Sequence, residues 1–125
     1  MLSLPPSVRI YFATELTDMR KGIDGLRALV EGTLEKDPYT GHLFVFIGKS
    51  RDKAKVLFWD RSGFVLYLKR LEQGRFQRPS VDRQRKHVEL EPAQLAMLLD
   101  GIDLNARRLA RWSPPAEGID TGAAV

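Results

Sequence analysis

The sequence contains no cysteine and only two histidines among its 125 residues. Without cysteine the chain cannot form disulfide bonds, thiolate zinc sites or a thiol nucleophile, so its stability must come from packing. His42 and His87 stand at no ligand-like spacing from acidic residues, so metal-assisted hydrolysis and histidine general-base catalysis lack the side chains they need. These absences remove several enzyme classes, and the sequence predicts no cofactor and no metal.

Long apolar runs and targeting signals are also missing. The best apolar run, Leu43–Ile47, is broken by Gly48 and Lys49, whereas a membrane-spanning helix needs roughly 18 apolar residues. Residues 1–6 have neither the basic start nor the apolar stretch of a secretory signal. We therefore expect a cytoplasmic protein with no membrane partner.

One segment imitates a phosphate-binding loop without meeting its requirements. Gly48-Lys49-Ser50 resembles the end of such a loop, but the loop needs a glycine where Leu43 stands and a helix where Arg51 begins a turn. The aspartates are placed like turn and cap residues, and no serine stands in a strand-to-helix elbow. The sequence therefore predicts a protein that is not an enzyme. A metal-dependent nuclease or phosphotransferase is kept as an outlying alternative.

The composition is that of a folded protein with one domain. Hydrophobic residues make up 43% of the chain and charged residues 29%, which is enough apolar material for one core at this length. From about Asn105 the sequence turns to Arg, Pro, Gly and Ala without periodicity. We expect a globular domain over residues 1–104 and a flexible tail over residues 105–125.

Positive charge is concentrated in the middle of the chain. The net charge is +4, and residues 51–90 contain eleven Lys/Arg against five Asp/Glu. Such an excess attracts polyanions, including nucleic acids. Composition alone leaves a second interpretation open, in which the charges form a solvated surface that keeps the protein in solution.

A strand and a helix are predicted in the N-terminal third. Residues 8–13 alternate in polarity and are rich in β-branched and aromatic types, which favours a strand. Thr17 is a suitable N-cap for a helix whose apolar positions recur at three- and four-residue spacing from Met19 to Leu34. Gly22 and Gly25 are unfavourable inside a helix, so they indicate either close approach of another backbone or a later helix start.

The rest of the chain predicts an antiparallel sheet and a second helix. Three successive strands joined by short turns are expected at Leu43–Ile47, Lys55–Asp60 and Phe64–Arg70. A short strand at His87–Leu90 precedes a helix that Pro92 opens and Gly101 ends. The fold class is therefore α+β, a small single domain in which an antiparallel sheet with a central three-strand meander packs with two helices. A crossover through the first helix would leave the first strand parallel to a neighbour, and this alternative stays open.

The turn Asp60–Gly63 suggests a register for the last two strands of the meander. A type I turn with a glycine bulge pairs Asp60 with Phe64. That register places an apolar set and two lysines on one face of the sheet, namely Leu57, Trp59, Val65 and Tyr67 with Lys55 and Lys69. Such a face suits base stacking on aromatic rings with cations near phosphates, or it is half of a core that a helix or a second subunit covers.

Several sequence blocks together resemble a known family. They occur in the family's order and spacing, at residues 17–26, 41–46, 55–60, 69–76, 89–95 and 99–103. On these blocks the chain, from about Leu4 to Asp103, is similar to the TnpB-type proteins encoded by the second open reading frame of insertion-sequence family sixty-six elements. The resemblance implies a role in moving a mobile element, beside a separate, larger protein that acts as the strand-cutting transposase.

The residues then suggest two hypotheses about mechanism. In the first, the protein is a non-catalytic accessory that binds DNA, because a transposition context favours phosphate contact by its basic residues. The residues expected to contact DNA are Arg20 and Lys21 at the helix start, followed by Lys55, Lys69, Arg70, Arg75 and Arg78. In the second, the protein docks on the transposase, or on itself as a homo-oligomer, without contacting DNA. The partner-binding residues are then Leu57, Trp59, Val65 and Tyr67.

Overall fold

The structure is a computed structural model and describes residues 4–80, 82 and 84–101. The elements in these residues are β1 (Ile10–Ala13), α1 (Ile23–Gly32), a short 3-10 helix (Pro38–Thr40), β2 (Leu43–Ile47), β3 (Lys53–Asp60), β4 (Gly63–Arg70), β5 (His87–Leu90) and α2 (Pro92–Leu99). The strands and helices expected from the sequence are thus present, with shifted ends at β1, β3, β4 and α1. The expected domain end at residue 104 and the expected tail over residues 105–125 lie outside the described residues.

The strands form one sheet in the order β4-β3-β2-β1-β5. β1 and β2 are parallel, and the other neighbouring pairs are antiparallel. The two parallel strands are joined by a crossover that contains α1, as parallel neighbours require. The α+β class and the β2-β3-β4 meander are confirmed. The sheet is larger than the meander and mixed, and the meander forms one side of it rather than its centre.

Each face of the sheet has its own apolar cluster. On one face, Leu26 and Val30 of α1 cluster with Tyr11, Phe44 and Leu57. On the other face, the three leucines of α2 cluster with the alternate residues of β1, β2 and β3. β1 and β2 are buried at every position, which explains why both are continuous apolar runs and lack the alternation of half-exposed strands.

The first helix begins later than the sequence pattern indicated. Thr17 does not cap it, because the Thr17 N–H donates to the Ile47 carbonyl at 2.8 Å and the residue pairs with the end of β2. Gly22 is the N-cap, with extended backbone angles, so a late helix start accounts for this glycine. Arg20 and Lys21 were expected at the helix start and instead lie in the loop before it. Strand pairing has outweighed the local preference of threonine for a cap.

The register predicted for β3 and β4 is wrong by one residue. Asp60 pairs with Gly63 and not with Phe64, so the hairpin turn has two residues instead of three. The first of them, Arg61, adopts φ +56°. Tight hairpin turns need this positive value, which is uncommon for a residue with a Cβ atom and is therefore not expected from the sequence.

A one-residue shift in register moves every side chain of a strand to the opposite face of the sheet. Leu57 and Trp59 of β3 therefore lie on the face that α1 covers. Val65 and Tyr67 lie on the other face, opposite Phe58 and Val56, which pack on the α2 side. The four residues do not share a surface, so the single partner-binding face expected from the sequence does not exist. Lys55 and Lys69 are separated in the same way.

Phe76 anchors the long connection between β4 and β5. Its side chain is fully buried in the α2-side cluster, although it belongs to no strand or helix. The Phe76 N–H donates to the Arg51 carbonyl at 2.6 Å, and the Leu71 N–H donates to the Asp52 carbonyl at 2.7 Å. The connection is thereby held against the turn between β2 and β3.

We expect Phe76→Ala to lower the free energy of unfolding by about 3–5 kcal/mol, because it removes a buried aromatic ring and leaves a cavity. Denaturant unfolding of both proteins measures the difference. Arg75→Ala is the matched control, since its exposed side chain should contribute less than about 0.5 kcal/mol. Equal losses for the two variants would contradict the anchoring role of Phe76.

Candidate nucleic-acid interface

The topology brings four separate segments to one end of the sheet. β1, β2 and β4 finish at this end, and β3 and β5 begin there, because β1 and β2 are parallel and every other pair is antiparallel. The segments at these strand ends are residues 14–21, 48–53, 69–78 and 84–87. We name these four segments the basic end, for the charge described below.

Hydrogen bonds tie the segments of the basic end together. The N–H of the buried Thr14 donates to the Lys86 carbonyl at 3.1 Å, and its hydroxyl donates to the Arg85 carbonyl at 2.6 Å. The Arg78 guanidinium donates to the Thr14 carbonyl at 2.9 Å. Thr14 thus connects the end of β1 to the segment before β5 and to the one after β4. The segment after β4 is in turn bonded to the β2–β3 turn, as described above.

The basic end carries most of the positive charge of the described chain. Its segments contain eleven Lys/Arg and four Asp/Glu, whereas the other described residues contain five Lys/Arg and nine Asp/Glu. The cations are Arg20, Lys21, Lys49, Arg51, Lys53, Lys69, Arg70, Arg75, Arg78, Arg85 and Lys86. One end of the sheet is therefore positive and the remainder negative. Charges that lie far apart along the sequence become one surface because the strand ends meet.

Part of this charge is neutralised locally. The Arg20 guanidinium donates to both carboxylate oxygens of Asp18, with Nη2 2.8 Å from Oδ2 and Nε 3.1 Å from Oδ1. These hydrogen bonds hold the pKa of the Asp18 carboxyl well below its usual range. The Arg20 side chain is 91% exposed, yet its charge is already paired, so it offers less to an anionic ligand than its exposure suggests.

Five cations of the basic end are exposed and available to an outside anion. Lys49, Arg75 and Arg85 make no ion pair within 4.0 Å in the part of the chain that the structure describes. Arg70 and Lys86 are held only in exposed pairs, with N–O distances of 3.1 and 3.4 Å, and such pairs contribute little in water. These five side chains form the most accessible part of the candidate interface.

Lysines from three of the segments also reach one cavity. A cavity of about 240 Å³ at the basic end is lined by Lys21, Lys49 and Lys86, together with Glu15 and Asp18. The convergence of the segments therefore extends from the backbone to the side chains.

Two of the residues predicted to contact DNA have internal partners. The ammonium group of Lys55 donates to the Met19 carbonyl at 2.9 Å and to the Lys21 carbonyl at 2.8 Å. Arg78 is bonded to Thr14, as described above. Both side chains hold loops of the basic end in place, Lys55 before α1 and Arg78 after β1, so the Lys55 ammonium and Arg78 Nη1 donate within the protein.

The other predicted DNA contacts lie at the basic end, but on different sides of it. Lys69 lies on the α2 face and Arg70 on the α1 face, since they pair with Ala54 and Lys53 respectively. The DNA contacts predicted from the sequence do not include Lys49, Arg85 and Lys86, although Arg85 and Lys86 lie in the basic stretch of residues 51–90. The meeting of the segments at the sheet end places all three on the same surface.

Trp59 belongs to an aromatic cluster and is not an open platform for stacking bases. Its ring centroid lies 5.1 Å from that of Tyr39 and 5.0 Å from that of Phe64. Leu57 is fully buried beneath α1. The interpretation as half of a core covered by a helix is thus confirmed for Leu57.

The sequence features that imitate enzyme motifs can now be placed in the structure. Gly48-Lys49-Ser50 lies in the turn between β2 and β3, with Arg51 at φ +65°, so it opens no helix as a phosphate-binding loop does. Within residues 4–80, 82 and 84–101, no three His, Asp or Glu side chains are grouped as a metal site. None of the helices in these ranges is long and apolar enough to cross a membrane.

Fold and charge together define a small α+β protein with a five-stranded mixed sheet and one basic end. The family model described as IS66 Orf2-like protein matches residues 8–109. The chain therefore belongs to the IS66 Orf2-like family, and the resemblance to insertion-sequence second-reading-frame proteins is confirmed. The protein is an insertion-sequence protein connected with transposition.

Two relatives from Sinorhizobium fredii show how far the similarity extends. The chain is 43% identical over 117 residues to the uncharacterized protein y4hO, covering 94% of this chain and 93% of the relative. It is 39% identical over 103 residues to the uncharacterized protein y4jC, covering 82% and 86% respectively. No solved structure matches.

We expect Lys55→Met to lower the free energy of unfolding by about 1–3 kcal/mol, because the substitution keeps most of the unbranched side chain and removes two charged hydrogen bonds. Lys49→Met is the control, since Lys49 is exposed and should change stability by less than about 0.5 kcal/mol. Denaturant unfolding measures both. If Lys55→Met is as stable as the control, Lys55 has no structural role and its prediction as a DNA contact regains support.

We expect the protein to lose stability as the pH falls below about 6.5, and His87 to account for part of this loss. Burial, followed by the charges of Lys36 and Arg85, lowers the pKa of His87. Because the folded state disfavours the protonated ring, stability is full above the ordinary pKa of 6.5 and declines as the unfolded chain takes up the proton. Unfolding midpoints between pH 8 and pH 5 test this sign, and His87→Gln should flatten the profile. An unchanged profile in the variant would contradict the assignment.

Proposed function

We propose that this protein is a non-catalytic accessory of transposition that binds DNA through the basic end. The observation that carries the proposal is the meeting of eleven Lys/Arg and only four Asp/Glu at one end of the sheet. Family membership supplies the context, since a protein of an insertion-sequence element works in a process whose substrate is DNA.

The physical basis of the proposal is the release of counterions from DNA. A cation that contacts a phosphate displaces condensed counterions, so each contact strengthens binding and steepens its dependence on salt. The negative charge over the rest of the described protein orients the molecule, because only the basic end is attracted to the duplex. A protein with this charge distribution binds DNA in one preferred orientation.

The arrangement favours contact with phosphates over reading of bases. Sequence reading in the major groove usually needs a helix or a two-stranded ribbon that presents polar side chains to base edges. The two described helices carry a single cation, Arg27, which is paired with Asp24 and Glu31. The exposed cations of the basic end instead lie on loops and strand ends. We therefore expect binding that depends little on DNA sequence.

Association with a protein is the second candidate function, and one observation favours it. Val65, Tyr67 and Leu68 of β4 are exposed, although the common partner face expected from the sequence is absent. Docking on the transposase of the same element stays a prediction. The exposed apolar residues of β4 are considered in the next subsection.

The DNA-binding proposal is tested with a variant that carries Lys49→Gln, Arg75→Gln and Arg85→Gln. We expect its affinity for a fluorescent duplex to fall about 10- to 100-fold near 0.1 M salt, and the slope of log affinity against log salt to decrease by about 2–3. Fluorescence anisotropy across a salt series, on transposon-end and scrambled duplexes, measures both quantities. Similar affinities for the two duplexes are expected if phosphates dominate.

The matched control removes the same charge elsewhere, through Arg9→Gln, Arg27→Gln and Arg61→Gln. None of these residues belongs to the basic end, so affinity and salt slope should stay near those of the unmodified protein. Equal losses in both triple variants would show that net charge matters and the basic end does not. Absence of binding at low salt would overturn the proposal altogether.

A further inference from the structure

The exposed apolar side chains of this protein are concentrated on one strand. Among the described residues, five large apolar side chains are exposed, and three of them lie on β4, with Val65 at 37%, Tyr67 at 43% and Leu68 at 54%. Scattered exposed apolar residues are normal in soluble proteins, but a cluster indicates a contact surface. β4 is also an edge of the described sheet, with β3 as its one neighbour.

The exposed residues lie on both faces of β4. Val65 and Tyr67 lie on the α2 face, and Leu68 lies on the α1 face, opposite Lys55. A partner lying on one face of the sheet would cover only one of these groups. A strand added at the edge contacts both, because its own side chains alternate between the faces.

The two edges of the sheet differ in how they are protected. Edge strands are usually shortened, charged, bulged or interrupted by proline, which prevents pairing with another chain. β5 has four residues, and Glu89 within it is engaged by Arg9 at 2.9 Å. β4 has eight residues, and its segment Phe64–Leu68 contains neither charge nor proline. The β4 edge is therefore open to pairing in a way that the β5 edge is not.

The backbone of β4 offers hydrogen-bonding groups along this edge. Asp60 and Gly63 close a two-residue hairpin, so they form a hydrogen-bonded pair, and such pairs alternate along the ladder. Val65 and Tyr67 accordingly bond to β3. The N–H and C=O groups of Phe64, Leu66 and Leu68 are directed towards the free edge.

We propose that β4 pairs with β4 of a second copy of this chain, antiparallel and centred on Leu66, to form a two-fold symmetric dimer. In this register Leu66 faces Leu66 of the second copy, Phe64 faces Leu68, and Val65 faces Tyr67. Each opposing pair is apolar, and its two side chains lie on the same face of the joined sheet. Aromatic–aliphatic pairs of this kind stabilise strand pairing. The edge groups of Phe64, Leu66 and Leu68 become hydrogen-bonded pairs in the same register.

The charge distribution favours antiparallel over parallel pairing with the second copy. Antiparallel pairing sets Lys69 and Arg70 opposite the uncharged Gly63 and Ser62 of the second copy. The two basic ends then lie at opposite ends of a strand about 27 Å long, so their mutual repulsion is small at physiological salt. The closed two-fold symmetry also uses up both β4 edges, which limits the assembly to two copies.

The test introduces like charges at the two positions that face each other, Val65 and Tyr67. One variant carries Val65→Lys and Tyr67→Lys, and the other carries Val65→Glu and Tyr67→Glu. Sedimentation or light scattering over a concentration series, at about 0.15 M salt and without DNA, should show twice the 14.2 kDa chain mass for the unmodified protein. Each variant alone should dimerise at least about 100-fold more weakly, because like charges then oppose each other. Mixing the two variants should restore a dimer, since each lysine of one variant then faces a glutamate of the other.

A control and a folding check make the result decisive. Ile23→Lys alters a side chain of the same exposure, 38%, outside β4, and should leave the dimer intact. Circular dichroism and thermal unfolding establish that each variant folds. A monomeric unmodified protein, a dimer that survives in both charged variants, or a mixture that stays monomeric would each overturn the proposal. Because DNA is absent, failure here leaves the DNA-binding proposal standing, and the reverse also holds.

Discussion

β1 and β2 lie side by side and run in the same direction, and the position of the charged segments depends on this pairing. If β2 ran antiparallel to β1, the whole β2-β3-β4 meander would be inverted. Residues 48–53 and 69–78 would then lie at the opposite end of the sheet from residues 14–21 and 84–87. The crossover through α1 prevents this, because it returns the chain to the end where β1 began. One basic end is the result.

Gathering like charge at one end of a small domain lowers its stability, and the protein offsets part of the repulsion locally. Arg20 is neutralised by Asp18, while Lys55 and Arg78 direct their donors to backbone carbonyls. Each of these contacts also fixes a loop that carries exposed cations. The contacts that support the basic end are therefore as much a part of it as the exposed side chains.

Elements with strong local patterns were predictable from the sequence. The strand β1, the apolar run of β2, the turn between β2 and β3, and the proline-initiated α2 were all expected and are present. In both local errors, strand pairing outweighs a local preference. Thr17 pairs with β2 instead of capping a helix, and Arg61 accepts a positive φ so that β3 and β4 pair in the tighter register.

The sequence by itself determined the fold class, the family and the excess of positive charge, because these depend on residue types and on their spacing along the chain. Only the tertiary structure decided which cations share a surface and which face of the sheet each β4 side chain occupies. Lys49 and Lys86 are remote in sequence yet line one cavity, and electrostatic attraction depends on distance in space. The parallel pairing of β1 with β2 sets that distance, and the turn at Arg61 sets the face.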